Sequence, residues 1–140
     1  MKVRDVMATP VVAAERGESI ATVAAKMATA DCGFIPVVEG GDVVGVVTDR
    51  DIAIRAVAEG TGPSAGSPVG EIMSGSVHSV DADAEIEAAA HLMAEHAVRR
   101  LPVMEAGALA GVLSYGHLEQ LLHAEGAAAA EATLGVTQGA

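Results

Sequence analysis

The sequence contains a second copy of itself, and this duplication restricts the possible folds more than any other feature. When the chain is shifted by 66 residues, residues 3–52 align with residues 69–118 without a gap, and 13 of the 50 pairs are identical. Chance alignment of so biased a composition would give about 4 or 5 identities. Two copies of this length predict a duplicated module packed face to face, in contrast to an open solenoid array.

Each copy is expected to contain five elements in the order strand, helix, strand, strand, helix. Ser19 is the predicted start of the first helix, because apolar residues follow it at i, i+3, i+4 and i+7. Two apolar runs joined by a Gly-containing turn predict a hairpin in each copy. The expected elements are 11–13, 20–27, 34–38, 43–47 and 49–58 in the first copy, and 77–79, 86–93, 101–104, 109–113 and 115–123 in the second.

These patterns predict a mixed α/β (α+β) fold of tandem β-α-β-β-α repeats packed about a pseudo-two-fold axis. The strands are nearly continuous in Val, Ile and Leu, which is typical of sheets covered on both faces. A repeat of about 50 residues buries too little apolar surface to fold easily alone. The two repeats are therefore expected to share a core and to leave two related clefts.

The expected organisation is one repeat over 1–58, a linker over 59–68, a second repeat over 69–123 and a tail over 124–140. The linker contains EGTGPSAGSP, in which Gly, Pro and Ser dominate. The tail is Ala-rich and low in complexity. It is expected to extend the last helix for a turn or two and then to fray.

Composition excludes several classes of function. The net charge is −11 and aromatic residues are 1%, so neither a phosphate backbone nor stacked single-stranded bases are expected partners. Cys32 is the single cysteine, and no intrachain disulfide is expected. The first residues, MKVRDVMATP, lack a signal-peptide pattern, and no apolar run is as long as a membrane span. The cytoplasm is the expected location, with no membrane partner.

Three segments together resemble the cystathionine-β-synthase (CBS) domain pair, also called the Bateman module. They are DVMATPVV, PVVEGGDVVGVVTDRD and VRRLPV, and their order, spacing and duplication are more specific than any one of them. The resemblance covers residues 3–122. It implies a module without catalytic activity or a required cofactor, which binds AMP, ADP, ATP or S-adenosylmethionine between the repeats. It also implies a homodimer that regulates an unidentified protein target.

Thr48 and Asp51 have two alternative interpretations. Their spacing is that of a capping box, in which Thr48 starts a helix and Asp51 reaches back to it. A helix start also offers N–H groups to phosphate, and a carboxylate accepts hydrogen bonds from ribose hydroxyls. The resemblance implies that Thr48 contacts phosphate and Asp51 holds the ribose. Both roles are compatible, because a capped helix is a rigid support for a site.

The remaining residues expected in the cleft of Asp51 each have a plainer alternative. The Arg99–Arg100 pair is either solvated or supplies a guanidinium to phosphate. Arg50 either binds phosphate as well or pairs with a neighbouring Asp. The segment at Thr9 is either an ordinary turn or a wall of the cleft, as the resemblance implies. The full expected set is Thr48, Asp51, Arg50, Thr9, Pro10, Val11, Gly33, Phe34, Ile35, Arg99 and Arg100.

The second copy is expected to form a weaker cleft. Ser114 matches Thr48, but His117 replaces Asp51, and a neutral imidazole cannot hold a vicinal diol as a carboxylate does. A protonated His117 would meet phosphate instead, and a solvent-facing His117 is the alternative. The residues expected in this cleft are Ser114, His117, Gly75, Val77 and Leu101.

Two other functions remain alternatives to a ligand sensor. A structural or interaction module with degenerate clefts is favoured by His117, whereas an enzyme has no recognisable nucleophile, phosphate-loop or redox motif to support it. The five histidines have no ligand spacing, so no metal site is expected.

Overall fold

A computed structural model describes residues 1–58 and 62–134 of the chain. Residues 59–61 of the expected linker and 135–140 of the expected tail lie outside the described part. The first repeat contains β1 (Ala14–Glu15), α1 (Ile20–Ala30), β2 (Phe34–Glu39), β3 (Asp42–Thr48) and α2 (Asp49–Asp51), which continues as a π-helix over Ile52–Ala58. The second repeat contains β4 (Val80–Asp81), α3 (Ile86–His96), β5 (Arg100–Glu105), β6 (Ala108–Ser114) and α4 (Tyr115–Leu134).

The mixed architecture of two similar repeats is confirmed. Each repeat has a three-stranded sheet, ordered β1-β2-β3 and β4-β5-β6, in which the first pair is parallel and the second antiparallel. The short first strands lie three residues later than 11–13 and 77–79, because only Ala14–Glu15 and Val80–Asp81 pair with a neighbouring strand. The helix α4 runs to Leu134, further than the expected turn or two.

Local signals explain where the helix α1 begins and ends. Ser19 caps it, since the Ser19 Oγ accepts a hydrogen bond from Thr22 N at 3.1 Å. The helix ends at Asp31, which adopts a left-handed conformation with φ of 51°. Ile20 and Val23 on its inner face are buried, as the periodicity predicts.

Each repeat has its own hydrophobic core, and each core includes residues from the leading segment of the other repeat. The leading segment is the part of a repeat before its first strand, residues 3–13 or 69–79. Val3 is fully buried among second-repeat residues, and its N–H bonds to Ala84 O at 2.9 Å. Val69 is fully buried in the first-repeat core, and its N–H bonds to Glu18 O at 2.7 Å. The leading segments are thus exchanged between the repeats, which explains why two small units form one stable body.

A salt-bridge cluster fastens the first leading segment. The Arg4 guanidinium donates to Asp83 Oδ1 at 2.6 Å and lies 2.9 Å from Glu105 Oε1. This hydrogen bond and the charge of Arg4 hold the pKa of Asp83 below its ordinary value. These three side chains are partly exposed, so the cluster orients the segment more than it stabilises the fold.

The second leading segment is held by Arg16, an arginine of the first repeat that follows β1. Gly70 stands where Arg4 stands in the first segment, and the Arg16 side chain lies against it; a Cβ on Gly70 would come within 2.7 Å of Arg16 Cγ. Arg16 reaches Glu39, the counterpart of Glu105, at 3.9 Å. The arginine therefore belongs to the leading segment at the first junction, and to the segment that the leading segment contacts at the second junction.

Candidate functional site

The leading segments continue across the molecule and build the clefts. Ser74 N bonds to Val46 O at 2.8 Å, and Val46 N to Ser74 O at 3.0 Å, which joins the second leading segment to β3. Ala8 and Val112 form the matching bridge to β6. Each cleft therefore combines the hairpin and helix start of one repeat with the leading segment of the other.

Glycines allow these crossings. Met73 lies directly against Gly45, where a Cβ would also meet Ser74 O at 2.9 Å. Met7 lies against Gly111 in the same way, and a Cβ there would come within 2.8 Å of its sulfur. Both glycines are buried strand residues, so a side chain at either position would push the crossing segment away.

The first cleft has a volume of about 560 Å³, which is sufficient for a nucleotide. It lies between the start of α2 and the strand β5, and the second leading segment closes it. Its lining residues are Gly33, Phe34, Val46, Thr48, Asp49, Arg50, Asp51, Ser74, Ser76, His78, Val98, Arg99, Arg100 and Pro102.

Thr48 and Asp51 form the predicted capping box in this cleft. The Thr48 Oγ1 accepts from Asp51 N at 3.1 Å, and Asp51 Oδ2 accepts from Thr48 N at 2.9 Å. The other Asp51 oxygen, Oδ1, lies 3.9 Å from Arg55 Nε. Capping therefore occupies one carboxylate oxygen and leaves Oδ1 with acceptor capacity, while the Thr48 hydroxyl hydrogen finds no acceptor among the described residues.

The backbone at the start of α2 does not supply the N–H groups expected for phosphate. Asp49 N bonds to Gly33 O at 3.1 Å, Arg50 N to Asp49 Oδ1 at 2.8 Å, and Asp51 N to Thr48 Oγ1. All three donors are thus satisfied within the protein, and this expectation was wrong. An anion in this cleft must be met by side chains.

Three arginines supply positive charge to the first cleft. Arg50, Arg99 and Arg100 line it, together with the carboxylates of Asp49 and Asp51. Arg100 donates to Arg99 O at 3.2 Å. The cleft therefore contains both the cations that phosphate needs and a carboxylate suited to a diol.

Arg99 and Arg55 each have a partner that positions them. The Arg99 guanidinium lies 4.9 Å from the centre of the Tyr115 ring, which is a cation–π contact. Arg55 donates to Ile72 O at 2.8 Å and so links the π-helix to the second leading segment. Arg55 is absent from the cleft lining, although its Nε lies near Asp51.

A histidine pair forms part of the first cleft. The rings of His78 and His96 are stacked with centroids 3.7 Å apart and an angle of 11° between planes. His78 lines the cleft, and His96 lies in the last turn of α3. In the other repeat the equivalent positions hold Val12 and Ala30, so the second cleft has no matching pair.

The second cleft is similar in size but different in chemistry. It has a volume of about 590 Å³. Ser114 and His117 lie in it as predicted, but no side-chain hydrogen bond joins them in the described part of the chain. The lining residues are Val6, Ala8, Pro10, Val11, Val12, Ala30, Asp31, Cys32, Gly33, Phe34, Arg100, Val112, Ser114 and His117.

The expected grouping of residues requires several corrections. Pro10 and Val11 line the second cleft, away from Asp51, and the exposed Thr9 lines neither cleft. The reason is the crossing, which delivers each leading segment to the other repeat's hairpin. Gly75 and Val77, which were expected in the second cleft, line neither cleft. Because of the same crossing, their neighbours Ser74, Ser76 and His78 line the first cleft.

Two strand residues expected in the clefts belong to the cores. Ile35 and Leu101 are fully buried and pack in the first and second cores. Side chains alternate along a strand, so Ile35 faces inward while its neighbour Phe34 faces the clefts. Arg100, the neighbour of Leu101, also faces the clefts.

Several lining residues were missed by sequence reasoning. The largest group is Ser74, Ser76 and His78 in the first cleft, which lie at every second position of an extended segment. That alternation of polar residues was a usable signal, but the sequence does not show which hairpin the segment faces. Asp31 and Cys32 in the second cleft follow the end of α1, and no local pattern indicates a cleft there.

Comparison with known proteins identifies the family. The sequence profile described as CBS domain matches residues 3–57 and 69–124. The chain belongs to the CBS domain family. CBS domain-containing protein YhcV of Bacillus subtilis (strain 168) is 39% identical over 116 residues, which cover 83% of this chain and 81% of that protein. Hypoxic response protein 1 of Mycobacterium tuberculosis (strain ATCC 25618 / H37Rv) is 35% identical over 112 residues, covering 79% and 78%.

Solved CBS structures share the fold. A crystal structure of Hypoxic Response Protein I with two coordinated zinc ions has a TM-score of 0.75 and 30% identity, covering 86% of this chain and 98% of that chain. The CBS domain pair of protein MJ0100, in complex with 5′-methylthioadenosine and S-adenosyl-L-methionine, has a TM-score of 0.77 and 23% identity, covering 89% and 98%.

Neither a metal cluster nor a membrane span is found in the described residues. No group of three or more His, Cys, Asp or Glu side chains within 1–58 and 62–134 is arranged to hold a metal ion. Within the same ranges, every helix is too short or too polar to cross a bilayer.

Proposed function

We propose that this CBS pair is a non-enzymatic regulatory sensor that binds an adenosine-type ligand in the first cleft. The observation that carries the proposal is the Asp51 carboxylate, which caps α2 with Oδ2 and still has Oδ1 available. Vicinal ribose hydroxyls are good donors to such a carboxylate. AMP, ADP, ATP and S-adenosylmethionine all carry this diol.

Phosphate recognition is assigned to side chains. The Thr48 hydroxyl has a free hydrogen to donate, and Arg50, Arg99 and Arg100 supply charge-assisted donors. These arginines act within a chain of net charge −11, so a local positive site is needed to hold an anion. Arg99 also makes a cation–π contact with Tyr115, which lies outside the lining of the first cleft.

The base is assigned to the wall formed by β3, the second leading segment, β5 and the residue Val98 before it. Val46, Val98 and Pro102 provide apolar surface there, and the edge of His78 provides a hydrogen-bonding group. The MJ0100 pair offers a precedent for an adenosine compound in this fold. That likeness concerns the fold alone, so the ligand class proposed here depends on the residues of this chain.

Ligand binding would act on the relative position of the repeats. The first cleft contains α2 of the first repeat and the leading segment of the second, so a bound ligand bridges both. A ligand that binds one arrangement more tightly shifts the population toward it. An unidentified protein target in the cytoplasm would read that arrangement.

A homodimer, which the resemblance implies, is part of the proposal. Met27 of α1 and Met93 of α3 are buried in the cores and are not available for a partner. Ile54 and Val57 on the π-helix are exposed, at 47% and 70%. This apolar surface is the proposed contact between two copies. Sedimentation equilibrium measures whether the chain forms a dimer.

Thermal unfolding with AMP, ATP, S-adenosylmethionine and adenosine tests the proposal. A ligand that binds only the folded state raises the Tm, by an amount that grows with the ratio of its concentration to Kd. We expect at least one of the four compounds to raise the Tm at millimolar concentration. Absence of any shift would contradict the sensor and favour an interaction module whose clefts have lost their ligand.

A further inference from the structure

Three residues line both clefts: Gly33, Phe34 and Arg100. Phe34 and Arg100 are equivalent in the two repeats, since each is the first residue of its strand. Phe34 pairs with Thr48 across the first hairpin, and Arg100 pairs with Ser114 across the second. Each side chain therefore belongs to its own hairpin's cleft and also borders the other.

The two clefts depend on Arg100 to different degrees. In the first cleft Arg50 and Arg99 also supply positive charge. In the second cleft Arg100 is the one Lys or Arg among the described lining residues, and the lining also includes the acidic residue Asp31. An anion in the second cleft therefore needs Arg100 more than an anion in the first cleft does.

We propose that Arg100 couples the two clefts, so that an anionic ligand bound in the first lowers the affinity of the second for another anion. A guanidinium binds one phosphate with its paired donors, and it cannot offer the same geometry to a second phosphate on its other side. The coupling is reciprocal, as binding linkage requires. This coupling rests on the proposed function. It adds that charged ligands fill one cleft before the other, whereas uncharged ligands fill the two clefts independently.

Cys32 provides a direct reporter for the second cleft. It is the single cysteine of the chain, it is partly exposed, and it lines the second cleft and not the first. A ligand in the second cleft should slow its alkylation by iodoacetamide. The experiment measures the alkylation rate of the full chain against ATP and against adenosine, at pH 8, above the ordinary range of histidine titration.

Two arginine variants separate the clefts. Arg50→Gln removes a cation that lines the first cleft alone, so ATP there competes less for Arg100. We expect the ATP concentration that half-protects Cys32 to fall about threefold or more in this variant. Arg100→Gln should raise that concentration about tenfold, since it removes the main charged donor. With adenosine, the midpoints of all three proteins should agree within about twofold.

Distinct outcomes overturn the coupling and the sensor. If ATP raises the Tm but the midpoint is the same in the wild type and Arg50→Gln, the coupling is overturned and the sensor stands. If ATP raises the Tm and never protects Cys32, the second cleft does not bind and the coupling is again overturned. If no compound raises the Tm, the proposed function itself fails. Arg50 and Arg100 are both exposed, and the Tm without ligand verifies that each variant folds.

Discussion

The two clefts have the same strand register and the same kind of crossing, but different chemistry. Both are closed by a crossing segment that pairs with a glycine-containing strand, and their volumes are about 560 and 590 Å³. The first has a carboxylate at the third position of its helix, and the second has His117 there. The duplicated fold therefore provides two pockets, while single side chains determine which ligand each pocket suits.

The comparison separates scaffold from site. Residues that keep the crossing in place, such as Gly45 and Gly111, are identical in the two repeats. Residues that face the cleft, such as Asp51 and His117, have diverged. We infer that changes to the first class affect stability and changes to the second class affect binding.

The largest predicted effect comes from filling the space at a crossing. Gly45→Val places a branched side chain where Met73 and Ser74 O lie, and we expect it to lower the free energy of unfolding by about 3 kcal/mol. Gly111→Val should cost about the same. Urea unfolding measures both.

Gly75→Ala is the matched control for these glycine variants. A Cβ at Gly75 meets nothing within 4 Å, so the expected change is within about 0.5 kcal/mol. A tolerated Gly45→Val together with a damaging Gly111→Val would show that the two crossings are not equivalent.

The next effect concerns binding in the first cleft. Asp51→Asn keeps an acceptor for Thr48 N–H and removes the carboxylate charge. We therefore expect stability close to that of the wild type and an affinity for AMP about tenfold lower, measured by isothermal titration calorimetry. Unchanged affinity would leave Asp51 as a helix cap alone.

Converting the second cleft to the chemistry of the first should give a smaller, favourable effect. His117→Asp restores a capping-box pair with Ser114, and we expect a gain of about 0.5–1 kcal/mol in unfolding free energy. The same change adds a ribose acceptor, so the second cleft should bind adenosine more tightly, as measured by calorimetry. A loss of stability would mean that the start of α4 cannot adopt the geometry seen at α2.

The smallest effect concerns the Arg4 junction and depends on pH. The pKa of Asp83 is lowered in the folded state by Arg4, so its contribution to stability is present above its ordinary pKa and is lost as the pH falls through the lower folded value. Asp83→Asn should therefore reduce the urea midpoint slightly at pH 7, and this difference should shrink as the pH falls below the ordinary pKa of Asp. In an Arg4→Gln background the pH-dependent difference should disappear.

Much of this structure could be predicted from local and repeated patterns. The 66-residue shift predicted two similar units, the spacing after Ser19 predicted α1, and the spacing of Thr48 and Asp51 predicted the capping box that the hydrogen bonds confirm. These features are set by neighbours within a few residues or by the duplication itself.

The exchange of leading segments could not be predicted in this way. Ser74 bonds to Val46, and Ala8 to Val112, through long-range pairings that no local pattern encodes. Because of this exchange, Pro10 lines the second cleft instead of the first, and His78 lines the first cleft. The sequence shows that Arg4 and Gly70 occupy equivalent positions. It does not show which residues each of them contacts, because that depends on the long-range pairing of the segments.

A crystal structure of the chain grown with AMP tests the central claim most directly. We predict that the nucleotide occupies the first cleft, with its ribose hydroxyls within hydrogen-bonding distance of the Asp51 carboxylate and its phosphate near Thr48 and the arginines. A nucleotide found in the cleft of His117, with the first cleft empty, would contradict the account.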